Sequence, residues 1–95
     1  MTDLMRDDYK YTNISTQTTT QVFSGPCRLI RIVINTTAAG AITVVDNTSG
    51  TTPPVATIAA SPVIGSVFYY GIKLTTGLRI VTAAASDITV VWTNN

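Results

Sequence analysis

Apolar residues recur at every second position along much of this chain, and this period limits the folds open to it more than any other feature. Between residues 27 and 35, Ile30, Ile32 and Ile34 occupy every second position, and Arg31 and Asn35 lie at the positions between or after them. The three isoleucines are therefore expected on one face of a strand and the two polar residues on the other. Side chains on a strand point alternately to the two faces of a sheet, so the pattern predicts a strand with one face toward a core. Helical spacing is hard to find in the sequence, and its alanine-rich pieces are too short to hold a helix.

Two more segments, 66–74 and 87–93, alternate in the same way and are predicted to be strands. The residues expected on their core faces are Phe68, Tyr70, Ile72, Leu74, Ile88, Val90 and Trp92. The residues expected on the opposite faces are Val67, Tyr69, Gly71, Lys73, Thr89, Val91 and Thr93. For Trp92 a surface position is the alternative, because tryptophan is enriched at binding hot spots.

Turn-forming pairs such as Gly25-Pro26, Ser61-Pro62 and Thr76-Gly77 separate the alternating runs at short intervals. Short strands divided in this way are typical of a sandwich or a barrel. The predicted strands lie near residues 10–15, 19–24, 27–36, 41–46, 55–60, 66–74, 77–82 and 87–93. We therefore expect an all-β fold: a single-domain β-sandwich, jelly-roll-like, with about eight short antiparallel strands. An immunoglobulin-like sandwich is the alternative.

Two stretches of the chain resemble each other. One begins with Arg31-Ile-Val and the other with Arg79-Ile-Val, and each continues through small residues to Ile-Thr-Val-Val, at 42–45 and 88–91. We expect each stretch to form a β-hairpin. The pair is then either a duplicated half of the sandwich or a chance repeat in a chain rich in valine, isoleucine and threonine.

The chain has little with which to stabilise itself as a monomer. With 95 residues it buries only about 60–65% of the surface that its unfolded form exposes. Cys27 is its single cysteine, which excludes an intrachain disulfide. Charged residues make up 12% of the sequence and the net charge is +1, so copies repel one another weakly. We expect oligomerisation to add the missing stability.

The residues that catalysis or metal binding needs are scarce. There is no histidine to activate a nucleophile or to bind a transition metal. Asp46 and Asp87 lie beside turns, where aspartate commonly caps the local backbone, and Cys27 is expected to be a small buried apolar side chain. The six basic residues do not cluster along the chain, as nucleic-acid binding requires. We expect no enzymatic activity, no cofactor or metal, and no nucleic-acid partner.

The first ten residues differ from the rest, because their charges lie close together and they show no alternation. We expect residues 1–10 to form an extended arm and residues 11–95 to form the sandwich; a frayed terminus is the alternative for the arm. The arm would dock on a partner through Asp3, Leu4, Met5, Arg6, Tyr9 and Tyr11. The candidates for an interface between copies are Arg28, Arg31, Arg79 and Trp92.

Three short stretches carry a resemblance: Tyr-Thr-Asn-Ile-Ser at 11–15, Gly-Pro-Cys-Arg-Leu at 25–29 and Asp-Asn-Thr-Ser-Gly at 46–50. With its threonine-rich strands and polar leading segment, the chain resembles the small β-sandwich proteins that decorate or cement the capsids of tailed bacteriophages, usually as trimers. The resemblance implies a virion structural protein on the capsid surface, made in the host cytoplasm, which binds itself and the major capsid protein. It implies no particular binding residues.

Two other function classes fit the sequence. A receptor-binding or carbohydrate-binding module would use exposed aromatic side chains, for which Tyr69, Tyr70 and Trp92 are the candidates. A tail or head–tail connector subunit would form a ring instead of a trimer. The sequence contains neither a long apolar stretch nor a signal-peptide pattern, so we expect no membrane partner.

Overall fold

Eight strands joined by short loops account for most of the chain in the computed structural model, which describes residues 9–94. The strands are β1 Lys10–Ile14, β2 Thr19–Ser24, β3 Cys27–Thr36, β4 Ile42–Asp46, β5 Pro54–Ile58, β6 Val67–Leu74, β7 Gly77–Thr82 and β8 Asp87–Thr93. Each strand lies within two residues of its expected position, and residues 9–94 contain no helix. The all-β prediction is confirmed.

The strands form two four-stranded antiparallel sheets. The first sheet has the order β1-β8-β3-β6 and the second has the order β2-β7-β4-β5. Each strand therefore pairs with its counterpart counted from the other end of the chain: β1 with β8, β2 with β7, β3 with β6 and β4 with β5. A long antiparallel ribbon rolled up in this way, and closed by the β3–β8 and β4–β7 pairs, is a jelly roll, as the sequence predicted.

A bulge in β3 changes which of its residues face the core. Between Leu29 and Arg31 the register against β8 shifts, so that Ile30 has no counterpart on β8. Leu29 and Ile32 therefore both reach the core and are fully buried, although an odd number of positions separates them. Ile30 itself is only half-buried. The expectation that Ile30 shares the core face of Ile32 and Ile34 is wrong, because alternation alone cannot locate an inserted residue.

The core faces predicted for β6 and β8 are confirmed. Leu74, Ile88, Val90 and Trp92 are buried, and Phe68, Tyr70 and Ile72 pack against the core while keeping some exposure. The Trp92 ring lies 5.1 Å from the Phe23 ring, centroid to centroid, and its indole N–H donates to the Thr12 hydroxyl at 3.3 Å. Trp92 thus joins the two sheets and satisfies its one polar atom, as a buried tryptophan usually does.

The two similar stretches are not hairpins, contrary to expectation. Each one crosses from one sheet to the other, because β3 and β8 belong to the first sheet while β4 and β7 belong to the second. The two crossings lie side by side: the Ala83 N–H donates to the Ala41 carbonyl at 3.0 Å. A Cβ atom on Gly40 would lie 2.6 Å from the Ala84 nitrogen, so only glycine fits at this approach.

The similarity between the stretches matches an approximate twofold relation in the fold. In the first sheet Arg31 pairs with Val91, and in the second sheet Arg79 pairs with Val45. Arg31 corresponds to Arg79 in the sequence comparison, and Val91 corresponds to Val45. The two sheets therefore place equivalent residues at equivalent positions, which allows their outer faces to be compared residue by residue.

The loop between β1 and β2 is held by one buried hydroxyl. Thr82 is 2% exposed. Its hydroxyl donates to the Thr16 carbonyl at 2.6 Å and accepts from the Thr18 N–H at 3.0 Å. Both backbone groups depend on this side chain.

We expect Thr82→Val, which has nearly the same shape, to lower the free energy of unfolding by about 1–3 kcal/mol, because it leaves a backbone donor and acceptor without their partner. Urea denaturation measures the change. Thr57→Val is the matched control, since Thr57 is an exposed strand residue, and it should change stability by less than about 0.5 kcal/mol. Equal effects from the two substitutions would contradict the assignment.

Candidate functional site

The outer face of the first sheet carries one row of side chains that spans all four strands. Tyr11 on β1 pairs with Val91 on β8, Val91 pairs with Arg31 on β3, and Arg31 pairs with Tyr69 on β6. Neighbouring strands lie about 4.8 Å apart, so the row is about 14 Å wide. We call this row, together with Arg28 and Lys73 beside it, the tyrosine–arginine face.

The two ends of the row are exposed and its centre is covered. Tyr11 and Tyr69 are each 75% exposed, whereas Val91 is 9% exposed between its neighbours on the same face. Arg31 is partly buried, and within residues 9–94 no hydrogen bond or ion pair reaches its guanidinium. An exposed aromatic pair around a partly buried, unpartnered arginine is a composition typical of protein interfaces.

Two further cations lie beside the row, at one end of the sheet. Arg28 and Lys73 are direct cross-strand partners and both are exposed. The Arg28 guanidinium donates to the Gly71 carbonyl at 3.1 Å, and a cleft of about 140 Å³ lies between the two basic residues. Like charges placed directly opposite each other are destabilising. Three of the six basic residues therefore lie on one face of the fold, although they are dispersed in the sequence. The expectation that the basic residues do not cluster is right for the sequence and wrong for the surface of the fold.

The opposite end of the same face is polar and carries one carboxylate. Asp87 accepts at Oδ1 from the side-chain amides of Asn13, at 2.7 Å, and Asn35, at 3.2 Å. These two hydrogen bonds lower the pKa of Asp87 against a small opposing effect of burial. Asp87 was expected to cap the local backbone; instead it holds two side chains from neighbouring strands. About 13 Å along β8 separates Asp87 from Val91 in the tyrosine–arginine row.

The equivalent position in the second sheet is covered by the chain itself. Arg79 donates through Nε to the Gly50 carbonyl at 2.8 Å and through Nη1 to the Gln21 side chain at 2.9 Å. Gln21 in turn donates to the Asn47 carbonyl at 2.9 Å. The loop between β4 and β5 thus lies against Arg79, whereas no loop within residues 9–94 hydrogen-bonds to the Arg31 guanidinium. Arg79, one of the predicted interface residues, is already occupied within its own chain.

The other predicted site residues are distributed unevenly. Asp3, Leu4, Met5 and Arg6 lie outside the described residues. Tyr9 is 45% exposed and precedes β1, next to the exposed Tyr11, while Arg28 and Arg31 both lie on the tyrosine–arginine face. Trp92, which is 8% exposed, lies in the core and offers a partner little surface, so it does not belong to an interface set.

The aromatic platform expected for a sugar-binding module is also changed by the fold. Of Tyr69, Tyr70 and Trp92, only Tyr69 is exposed. Tyr70 packs against the core, and burial raises the pKa of its hydroxyl. Within residues 9–94 the exposed aromatic side chains are Tyr9, Tyr11 and Tyr69, and sequence reasoning did not bring Tyr11 and Tyr69 together in one row.

One exposed apolar surface was not predicted from the sequence. Val63 and Ile64, in the loop between β5 and β6, are 75% and 61% exposed. The same loop is fixed to the end of β3, because the Gly65 N–H donates to the Ile34 carbonyl at 2.7 Å. The signal in the sequence was an apolar pair directly after Ser61-Pro62, a turn that interrupts strand alternation.

The side chains that commonly bind metals do not cluster in the described part of the chain. No group of three or more histidine, cysteine, aspartate or glutamate side chains comes together within residues 9–94. Cys27 is buried, as expected, and burial together with the nearby Asp46 raises the pKa of its thiol, which keeps it protonated.

Comparison with protein-family models, with curated proteins and with solved structures found no match. None of the described residues belongs to a helix that could span a membrane.

Asp46 caps the turn between β6 and β7. Its carboxylate accepts from the N–H groups of Thr75 at 3.1 Å, Thr76 at 2.9 Å and Gly77 at 3.2 Å. Burial alone would raise the pKa of Asp46, but these hydrogen bonds, with one from the Thr75 hydroxyl, together lower it. Asp46 was expected to cap the local backbone; it does cap backbone N–H groups, but those of a turn 29–31 residues away in the sequence.

We expect Asp46→Asn to lower the free energy of unfolding by about 1–2 kcal/mol at pH 7, because an amide nitrogen replaces one accepting oxygen at a partly solvated site. The folded-state pKa lies below the unfolded value of about 3.9. The Asp46 contribution is therefore complete above that value and is lost as the pH falls through the folded-state pKa. Urea denaturation of both proteins from pH 7 to pH 2 measures it; a stability difference that does not shrink in acid would contradict the capping role.

Proposed function

We propose that this protein is a non-catalytic structural subunit that decorates or cements a phage capsid as a homo-oligomer, with a trimer as the expected form. The observation that carries the proposal is the tyrosine–arginine face: two tyrosines exposed to 75% and an arginine that no described residue binds. Tyrosine and arginine are the residue types that contribute most to protein interfaces. The small core and the low net charge favour association as well.

The size of the face limits what it can do alone. Four strands about 4.8 Å apart and seven residues of β8 outline roughly 400 Å² for the whole outer surface of the first sheet, of which the tyrosine–arginine face is a part. A stable interface of standard size uses about 800 Å² on each partner. The face therefore supplies at most about half of the area a stable contact needs, and a second element must contribute the rest.

Decoration of a shell has a simple energetic basis. A protein that binds only the closed arrangement of shell subunits stabilises that arrangement by mass action. The gain is about 3–4 kcal/mol per site when free protein is present at about 100–1,000 times its Kd. Many equivalent sites on a particle multiply this gain. A subunit without catalytic residues would therefore stabilise the particle by binding alone, and each added copy would increase the stabilisation.

We expect light scattering over a concentration series to give the mass of a trimer for the wild-type protein. Tyr11→Ser with Tyr69→Ser should raise the concentration needed for association at least about tenfold, since it removes two exposed aromatic anchors. Thr19→Ser with Thr57→Ser, on the outer face of the second sheet, is the matched control and should leave the mass unchanged. A wild-type protein that stays monomeric at every concentration would refute the homo-oligomer.

A carbohydrate-binding function is the second candidate, because Tyr69 and Tyr11 share their face with the polar groups of Asn13, Asn35 and Asp87. The asparagine amides already donate within the chain, which leaves fewer groups for a sugar. If this function holds, a glycan screen by calorimetry gives millimolar or tighter binding that Tyr69→Ala abolishes. Tyr70→Phe is the control, since Tyr70 packs against the core. Absence of glycan binding leaves the structural role as the better account.

A further inference from the structure

The charges of this chain are divided unequally between its described part and its first eight residues. Residues 9–94 contain five basic residues and two carboxylates, Asp46 and Asp87, and no ion pair is found among them. The first eight residues contain three aspartates and one arginine. The side chains of the described part thus carry a net charge of +3 (five minus two) and those of the leading segment a net charge of −2 (one minus three), so the two parts are opposite in charge.

The unpaired positive charge is concentrated on one face. Arg28, Arg31 and Lys73 lie together on the tyrosine–arginine face, while the equivalent arginine of the second sheet, Arg79, is bound by the Gly50 carbonyl and by Gln21. Arg28 and Lys73 are cross-strand partners of like charge beside a cleft. This arrangement costs stability in the isolated chain and is relieved by an anionic occupant.

We propose that the tyrosine–arginine face binds residues 1–8 of a neighbouring copy of this chain. Asp7 and Asp8 would meet the cations of the face, and Leu4 and Met5 would meet its tyrosines and Val91. The inference rests on the proposed self-association, for which it names the contact. It gives the leading segment a second copy as its partner, in place of the capsid protein expected from the sequence.

The position and length of the segment are compatible with this exchange. β1 begins at Lys10, which pairs with Trp92, and the next residue of β8, Thr93, pairs with Arg28. The described residue to which the segment is joined, Tyr9, thus precedes β1 at the end of the sheet where the cations lie. Eight extended residues reach at most about 26–29 Å, and the row is about 14 Å wide. A segment of this length crosses the row of an adjacent copy and adds the contact area that the face alone lacks.

Charge reversal tests the proposal in the full-length chain, with light scattering as the readout. Arg28→Glu with Lys73→Glu reverses the face, and Asp7→Lys with Asp8→Lys reverses the segment. We expect each pair to weaken association at least about tenfold, because like charges then meet across the contact. The chain that carries all four substitutions should associate within about threefold of the wild type, since both charges are reversed together. Thr19→Glu with Thr57→Glu, on the second sheet, is the control.

The outcomes separate this inference from the proposed function. A wild-type protein that is monomeric overturns the self-association itself. A wild-type oligomer whose mass neither reversal changes overturns the exchange of residues 1–8 and leaves the oligomer standing. Loss of association in both reversals without restoration in the combined chain also overturns it. If the reversed face does not fold, Arg28→Gln with Lys73→Gln should give a smaller loss of association in the same direction, and no loss counts against the proposal.

Discussion

The bulge in β3 is the constraint on which the surface of this molecule depends. In a regular strand, residues three positions apart point to opposite faces, so Arg28 and Arg31 would lie on different sides of the sheet. The residue inserted at Ile30 shifts the register against β8, and both arginines then lie outside while Leu29 and Ile32 lie inside. A strand without the bulge would have to bury an arginine or expose part of the core. One inserted residue thus produces both the core and the cationic face.

The near-twofold symmetry of the jelly roll makes the asymmetry of its two outer faces informative. Arg31 and Arg79 occupy equivalent positions, yet the loop between β4 and β5 accepts a hydrogen bond from the second and no described residue accepts one from the guanidinium of the first. Pro54, on β5, pairs with Val45, at the position that the exposed Tyr11 takes in the first sheet. The second sheet therefore completes its outer face with its own chain. At the corresponding place, the first sheet has exposed tyrosines and an arginine to which no described residue hydrogen-bonds, whereas the second sheet has a loop.

Strand positions and fold class could be predicted from the sequence because each depends on local pattern: alternation marks the strands, and pairs that contain glycine or proline mark the turns. The candidate face could not, because it joins residues such as Tyr11 and Tyr69, which lie 58 positions apart in the sequence (69 minus 11), through a register that no local pattern specifies. The two crossings, one of which contains Gly40, were predicted to be hairpins. The sequence could not distinguish the two cases, because a turn of small residues has the same composition whether its flanking strands pair with each other or belong to different sheets. The alternation of apolar residues in β8 correctly predicted that Trp92 lies in the core. The enrichment of tryptophan at binding hot spots pointed instead to the surface, where Trp92 does not lie.

Low charge makes the position of each cation matter more. In this chain, with 12% charged residues, Arg28 lies directly opposite Lys73, and the pair has no described carboxylate within an ion-pair distance. Solvent screens two exposed cations, so the isolated chain tolerates them at a small cost. Inside an interface the same pair would be desolvated, and it would oppose association unless the partner brought carboxylates. If a surface that combines exposed tyrosines with unneutralised cations forms an interface, the electrostatic energy therefore favours an anionic segment over a neutral or basic one.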